Sequence, residues 1–358
     1  MTDLAAAIRA FDLQAGACAA FGSPFSAALI ERAARDIEAG GALPPLLEPW
    51  AGLSTRALIS EAVPVRWLGC AHDVVLSGEA PEMAAAYPAP GAPGDPDVAW
   101  SALRRLMETR PERFADFMSH EPQTNEVRRS ACLLPGFLTI AQETGLPMRL
   151  FEIGASAGLN QLWDRFHYDL GHAGTWGDPA SQVRLDTAWR GDPPPMAARV
   201  SVISRAACDR APVDIRDPLA RRRLKAFVWA DQFERLTRLD AAIALALEAD
   251  TRVDAEDAVV WTTARGAPSA GAATVIFHSV FWQYMPPESQ AATAAAIAAH
   301  GANATADARL AWLRLEPPPR NLSTMEIRLT LWPGGEERRL GIGHPHGASV
   351  DWGAAAEG

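Results

Sequence analysis

Lysine is almost missing from this sequence: Lys225 stands alone among 33 basic residues, and 43 acidic residues leave a net charge of -10. Such a balance repels phosphate backbones and anionic lipid, which argues against a general nucleic-acid or membrane binder. Cysteine is scarce as well. Cys18, Cys70, Cys132 and Cys208 lie far apart, without the CxxC spacing of a zinc site or the density of a disulfide scaffold, so reduced, buried thiols are expected. No run approaches the roughly 18 apolar residues that span a bilayer. The N-terminal stretch is interrupted by Asp3, Arg9, Asp12 and Gln14, unlike the apolar centre of a secretory signal, so a cytoplasmic location is expected.

What is present is a chain of 358 residues, 48% of them hydrophobic, more than one hydrophobic core usually serves; two packed regions are expected. Residues 1–145 read as a helical N-terminal region. ALIERAARDIEAGG, DVAWSALRRLMETRPERFADFMSH and EVRRSACLLPGFLTIAQETG carry apolar residues at three- and four-residue steps, the spacing of one helix face. The segment Tyr87 to Asp97, with four prolines, reads as a surface loop.

After Gly145 the pattern changes. MRLFEIG is a short apolar run ending at glycine, followed by the helix-compatible LNQLWDRFHYDL, a strand, tight turn and helix. Apolar runs recur at ARVSVIS, AFVWA, ATVIFHSVFW and ARLAWLRLE, with helical material between them, and MEIRLTLW and ERRLGIG flank Pro333-Gly334-Gly335. Alternating strands and helices imply an α/β domain over 146–358: a Rossmann-like, doubly wound, mostly parallel sheet closed by an antiparallel C-terminal hairpin. The Gly-, Pro- and Trp-rich stretch at 172–195 reads as an insertion.

The densest chemical signal is Glu152-Ile153-Gly154-Ala155-Ser156-Ala157-Gly158-Leu159-Asn160, at the carboxyl end of a strand, where open α/β sheets bind ligands. A dinucleotide fingerprint needs glycine where Ser156 and Leu159 stand, which disfavours NAD. Two readings remain. Gly154 to Gly158 matches the GxSxG nucleophile elbow of α/β-hydrolases, with Ser156 attacking and His278, His344 or His346 as base. The same residues fit ExGxSxG, which resembles the first motif of class I methyltransferases, where a turn wraps the methionine part of S-adenosylmethionine. Chain position favours the second, because the region before the turn is helical and Glu152 would oppose a developing oxyanion.

Longer stretches, QTNEVRRSACLLPGF, FEIGASAGLN, SRAACDRAPVDIRD, FVWADQFERLTRL, FHSVFWQYM and GHPHGASVDW, resemble the bacterial family numbered 2332 among domains of unknown function. The resemblance implies a methyltransferase-like fold without supplying a substrate. On the methyltransferase likeness, Glu152, Gly154, Ala155, Ser156, Gly158 and Asn160 would hold S-adenosylmethionine. Asp209, or else Asp214, would take the ribose hydroxyls, and Asp231 would reach an adenine amino group unless it caps a helix. His278 would serve as base and, with Tyr284, line the pocket of a small-molecule acceptor; a histidine satisfied inside the core is the simpler alternative.

His344-Pro345-His346 places two imidazoles at alternate positions but brings no third ligand, so no metal site is assigned. Thr124-Asn125-Glu126 opens a helix and is read as a cap or a cleft-facing segment. The expected function is methyl transfer from S-adenosylmethionine to a small molecule. A serine hydrolase and a non-catalytic binding protein are the alternatives.

Overall fold

The computed structural model describes residues 4–318 and 324–353. Its α-helices are α1 (Leu4–Ala20), α2 (Pro24–Glu38), α3 (Thr55–Ser60), α4 (Val63–Ser77), α5 (Pro81–Ala86), α6 (Pro96–Thr109), α7 (Pro111–Met118), α8 (Ser130–Thr144), α9 (Pro218–Ala226), α10 (Phe233–Glu248), α11 (Ala258–Arg265) and α12 (Pro287–Gly301). Proline stands in the first turn of α2, α4, α5, α6 and α7, where its missing N–H is no loss. It also explains why one expected helix is two: Pro111 pushes Arg110 to φ -140 and ψ 51, separating α6 from α7. None of the described helices is long and apolar enough to cross a membrane.

The chain forms two compact units, Met1–Thr124 with Ile215–Thr237, and Asn125–Asp214 with Arg238–Gly358. The first is helical, its core built on Phe11, Leu29, Ile30, Trp67, Phe114 and Phe117. Ala226, Phe227 and Ala230 belong to that core, and the Phe227 ring packs so closely on α4 that a Cβ at Gly69 would lie 2.7 Å from it. AFVWA is therefore not a strand, contrary to the sequence pattern; it follows α9 as a turn whose apolar side chains complete a helical core.

The second unit holds a nine-stranded sheet in the order β5-β12-β11-β10-β9-β8-β1-β6-β7 and a small sheet in the order β3-β2-β4. The strands are β1 (Met148–Ile153), β2 (His167–Asp169), β3 (Thr175–Gly177), β4 (Arg184–Asp186), β5 (Ala188–Arg190), β6 (Val202–Asp209), β7 (Asp254–Ala255), β8 (Ala272–Ser279), β9 (Ala308–Glu316), β10 (Met325–Trp332), β11 (Glu337–Gly343) and β12 (Ser349–Trp352). β7, β6, β1, β8 and β9 pair in parallel. β10, β11 and β12 continue antiparallel, the first two forming the hairpin around Pro333-Gly334-Gly335.

Three details depart from the sequence pattern. LNQLWDRFHYDL forms a 3-10 turn at Leu159–Arg165 followed by β2, because Phe166 and Tyr168 are both fully buried at strand spacing. The strand expected at ARVSVIS begins only at Val202 and runs on to Asp209. The boundary between regions lies at Thr124 and Asn125 rather than at 145. Helix α8 packs on β9 and β10, close enough that a Cβ at Gly136 would lie 2.4 Å from Leu313.

Candidate functional site

After β1 the parallel part of the sheet grows first toward β6 and β7, then on the opposite side through β8 and β9. In open α/β sheets such a reversal is where ligands bind, outside the carboxyl ends of the strands that flank it. The glycine-rich turn sits there. Gly154 (φ +66), Ser156 (φ +53) and Gly158 (φ +72) are all left-handed, so three residues in five reverse the chain. Ser156 is not a glycine, and its conformation costs about 1–2 kcal/mol. It is held by its N–H donating to Asp209 Oδ2 at 2.8 Å and by its carbonyl accepting from Val213 N at 3.2 Å.

The backbone donors of this turn serve the protein itself. Ala155 N donates to Cys208 O at 3.0 Å and Gly158 N to Ala155 O at 2.8 Å, while Leu159 N donates to Asn125 Oδ1 at 2.9 Å. Asn160, fully buried, accepts from Ser130 Oγ at 2.7 Å and donates to Glu126 O at 3.4 Å; it ties the turn to α8. Asp209 braces the turn with Oδ2, while its Oδ1 accepts from Ala211 N at 2.9 Å in its own loop. With the N–H groups of Ala155, Ser156, Gly158 and Leu159 committed in this way, the turn leaves few donors for an anion of the phosphate-binding kind.

The acceptor side is different. Glu152 is 3% exposed, and among the described residues its Oε2 has no hydrogen-bond partner. Burial, with the Asp209 charge adding to it, holds the Glu152 carboxyl well above the usual carboxylate range. An orphaned buried acceptor beside a second carboxylate is a costly arrangement for a fold alone. It suits a ligand that brings hydrogen-bond donors or positive charge.

At the carboxyl end of β8 the expected base is otherwise employed. His278 is fully buried, its Nδ1 lies 2.7 Å from Glu316 Oε1 and its Nε2 lies 3.1 Å from Trp312 Nε1. The indole is a donor only, so Nε2 accepts and the ring proton sits on Nδ1, donated to Glu316. Burial lowers the pKa of this imidazole, which is neutral and has no nitrogen left for an acceptor's proton. The expectation of His278 as general base, for methyl transfer or for a serine nucleophile, is corrected accordingly. Tyr284 is 72% exposed on a 3-10 turn.

Phe281 follows His278 and lies against the glycine turn: a Cβ at Gly154 would sit 2.0 Å from its ring. Gly158 meets Gln161 and Val253 in the same way, at 2.5 and 2.7 Å. Trp312 and Glu316 were not singled out from the sequence, and Phe281 only as part of the FHSVFWQYM stretch. A signal exists, since Trp312, Arg314 and Glu316 alternate along β9 and point one way, an unusual stripe for a central strand.

Asp231 belongs to the helical unit, where its carboxylate accepts from Ser23 Oγ at 2.6 Å, Phe25 N at 2.9 Å and Ser26 Oγ at 2.9 Å. It caps α2 from a distant segment, and its assignment to an adenine amino group rested on a strand that does not exist. Asp214 is exposed. His344 Nδ1 accepts from His346 N at 3.0 Å, and the rings lie 5.8 Å apart. Among the described residues no group of three or more His, Cys, Asp or Glu side chains is placed to hold a metal ion.

Over residues 8–352 the chain matches the model of a family described as an uncharacterized protein conserved in bacteria, DUF2332. No curated protein and no solved structure matches it.

Proposed function

We propose, for a chain that belongs to the bacterial DUF2332 family, that the crevice at the carboxyl ends of β1, β6 and β8 binds S-adenosylmethionine and serves methyl transfer to a small molecule. In this reading the parallel part of the sheet is Rossmann-like. The observation that carries it is the unpartnered, buried Oε2 of Glu152 next to Asp209. S-adenosylmethionine brings a sulfonium, an ammonium and two ribose hydroxyls, and so meets a donor-poor, acidic turn better than a phosphate-bearing dinucleotide does.

When bound, the cofactor supplies an electrophilic methyl carbon. The chain's own part is positional. Glu152 accepts from the ligand's donors, and Asp209 with Asn125 keeps the Gly154–Leu159 backbone in its left-handed course. Because His278 cannot take a proton, the acceptor is one that needs no base from this chain's β8, such as a thiolate or a tertiary amine.

Calorimetry with S-adenosylmethionine and S-adenosylhomocysteine tests the reading. Saturable binding is expected, and no heat from folded protein at roughly millimolar ligand overturns it. The commitment of His278 also favours a second reading, a binding protein without transfer. Cofactor bound but never converted to S-adenosylhomocysteine across thiol, amine and hydroxyl acceptors would select it.

A further inference from the structure

The turn after β8 combines strain, a firm hold and an ill-placed ring. Val280 has φ +51, a left-handed conformation that β-branched side chains adopt only when their surroundings impose it. The imposing contacts are evident. Val280 N donates to Leu315 O at 2.9 Å, and Phe281 N donates to Glu316 Oε1 and Oε2 at 3.0 and 3.2 Å. Glu316 is itself held by His278 at 2.7 Å, whose ring stacks on Trp282 with centroids 5.2 Å apart. The result is a phenyl ring seated on Gly154, where a Cβ would lie 2.0 Å from it. Two residues before Gly154, on β1, lies the unpartnered oxygen of Glu152.

We propose that Phe281 is a plug on the Gly154 face of the crevice, held in place by Glu316 at the expense of a strained Val280, and that ligand entry swings the Ser279–Phe281 turn away. This rests on the reading of the crevice as an S-adenosylmethionine site, since that reading assigns the Gly154 face to the cofactor. His278 and Glu316 are then positioning residues: they act on the ligand only through Phe281. The strain has a direction, because relief of Val280 on opening brings the open state within reach of binding energy. A plugged site also binds more weakly than its intrinsic affinity, by the fraction of molecules already open.

The test combines a double-mutant cycle with calorimetry on the full chain. Gly154→Ala is expected to lower Tm strongly in the parent chain and much less in Phe281→Ala, because the ring it would strike is gone. S-adenosylhomocysteine is expected to bind Phe281→Ala at least about tenfold more tightly than the parent. Phe281→Leu, which keeps an apolar contact, should lie between them and guards against a poorly folded alanine variant. Val280→Gly should move the other way, weakening binding about threefold, since glycine relaxes the closed turn. Loss of thermal coupling between positions 154 and 281 overturns the plug. Equal affinity of parent, Phe281→Ala and Phe281→Leu overturns it while leaving the cofactor site intact. No binding by the parent or either Phe281 variant overturns the cofactor reading, and the plug with it.

Discussion

Glu152 carries a cost to the fold that the proposed binding site would put to use. Its carboxyl is buried, lacks a partner on Oε2, and is held well above the usual carboxylate range chiefly by burial and then by Asp209. A carboxyl raised in the folded state stabilises fully below its unfolded value, near 4.5, and that stability is lost as pH rises toward the folded value. Glu152→Gln is therefore expected to raise Tm at neutral pH by roughly 2–4 °C, and melts from acid to neutral pH should show a shallower decline than the parent. The same substitution should weaken S-adenosylhomocysteine binding and remove its rise in affinity with pH. A destabilised Glu152→Gln at neutral pH would count against the burial argument. Glu152, Gly154 and Gly158 were readable from the sequence because a strand ending in ExGxSxG needs left-handed backbone whatever surrounds it. That His278 is committed to Trp312 and Glu316 was not readable, since both partners come from a strand more than 30 residues away.

At the scale of elements, capping is done by residues that sequence proximity does not reveal. Ser23 precedes α2 but makes no side-chain cap of its own; Asp231 reaches the first turn instead and also satisfies the fully buried hydroxyls of Ser23 and Ser26. A carboxylate there also meets the positive end of the helix. Asp231→Ala leaves three donors without their acceptor and is expected to cost about 2–3 kcal/mol, read as a lower urea midpoint at unchanged m-value. A loss below about 0.5 kcal/mol would show that solvent replaces the cap. The helices themselves were legible from periodicity and proline, including α2, α6 and α8. AFVWA was misread because a five-residue apolar run has no period long enough to tell a strand from a packed turn.

Across the whole molecule, buried histidines remove stability on acidification, opposite to the effect of Glu152. His72, in the helical unit, donates through Nδ1 to Val228 O at 2.8 Å, and burial pushes its pKa from 6.5 down to about 4. Over that window the folded chain holds fewer protons than the unfolded one. Stability from His72 is therefore full above pH 6.5 and lost as pH falls toward 4, a loss on the order of 3 kcal/mol. His278, also lowered by burial, acts in the same direction. His72→Gln is expected to flatten the fall in stability between pH 6.5 and 4 even if it lowers stability overall, and an unchanged slope in chemical-denaturation series would refute the assignment.

The sequence by itself determined the helical character of the region before residue 145, with three of its helical stretches, the strand, glycine turn and C-terminal hairpin, and the net charge, because periodicity, proline, glycine and ionisable groups act over a few neighbouring residues. It also placed Glu152 at the mouth of β1. Only the tertiary structure decided that residues 215–237 complete a helical core, that α8 belongs with the sheet, that His278 is neutral and enclosed, and that Phe281 covers Gly154. Each of these depends on which distant surfaces meet, and so on packing and the pairing of buried polar groups, to which local chain preference is blind.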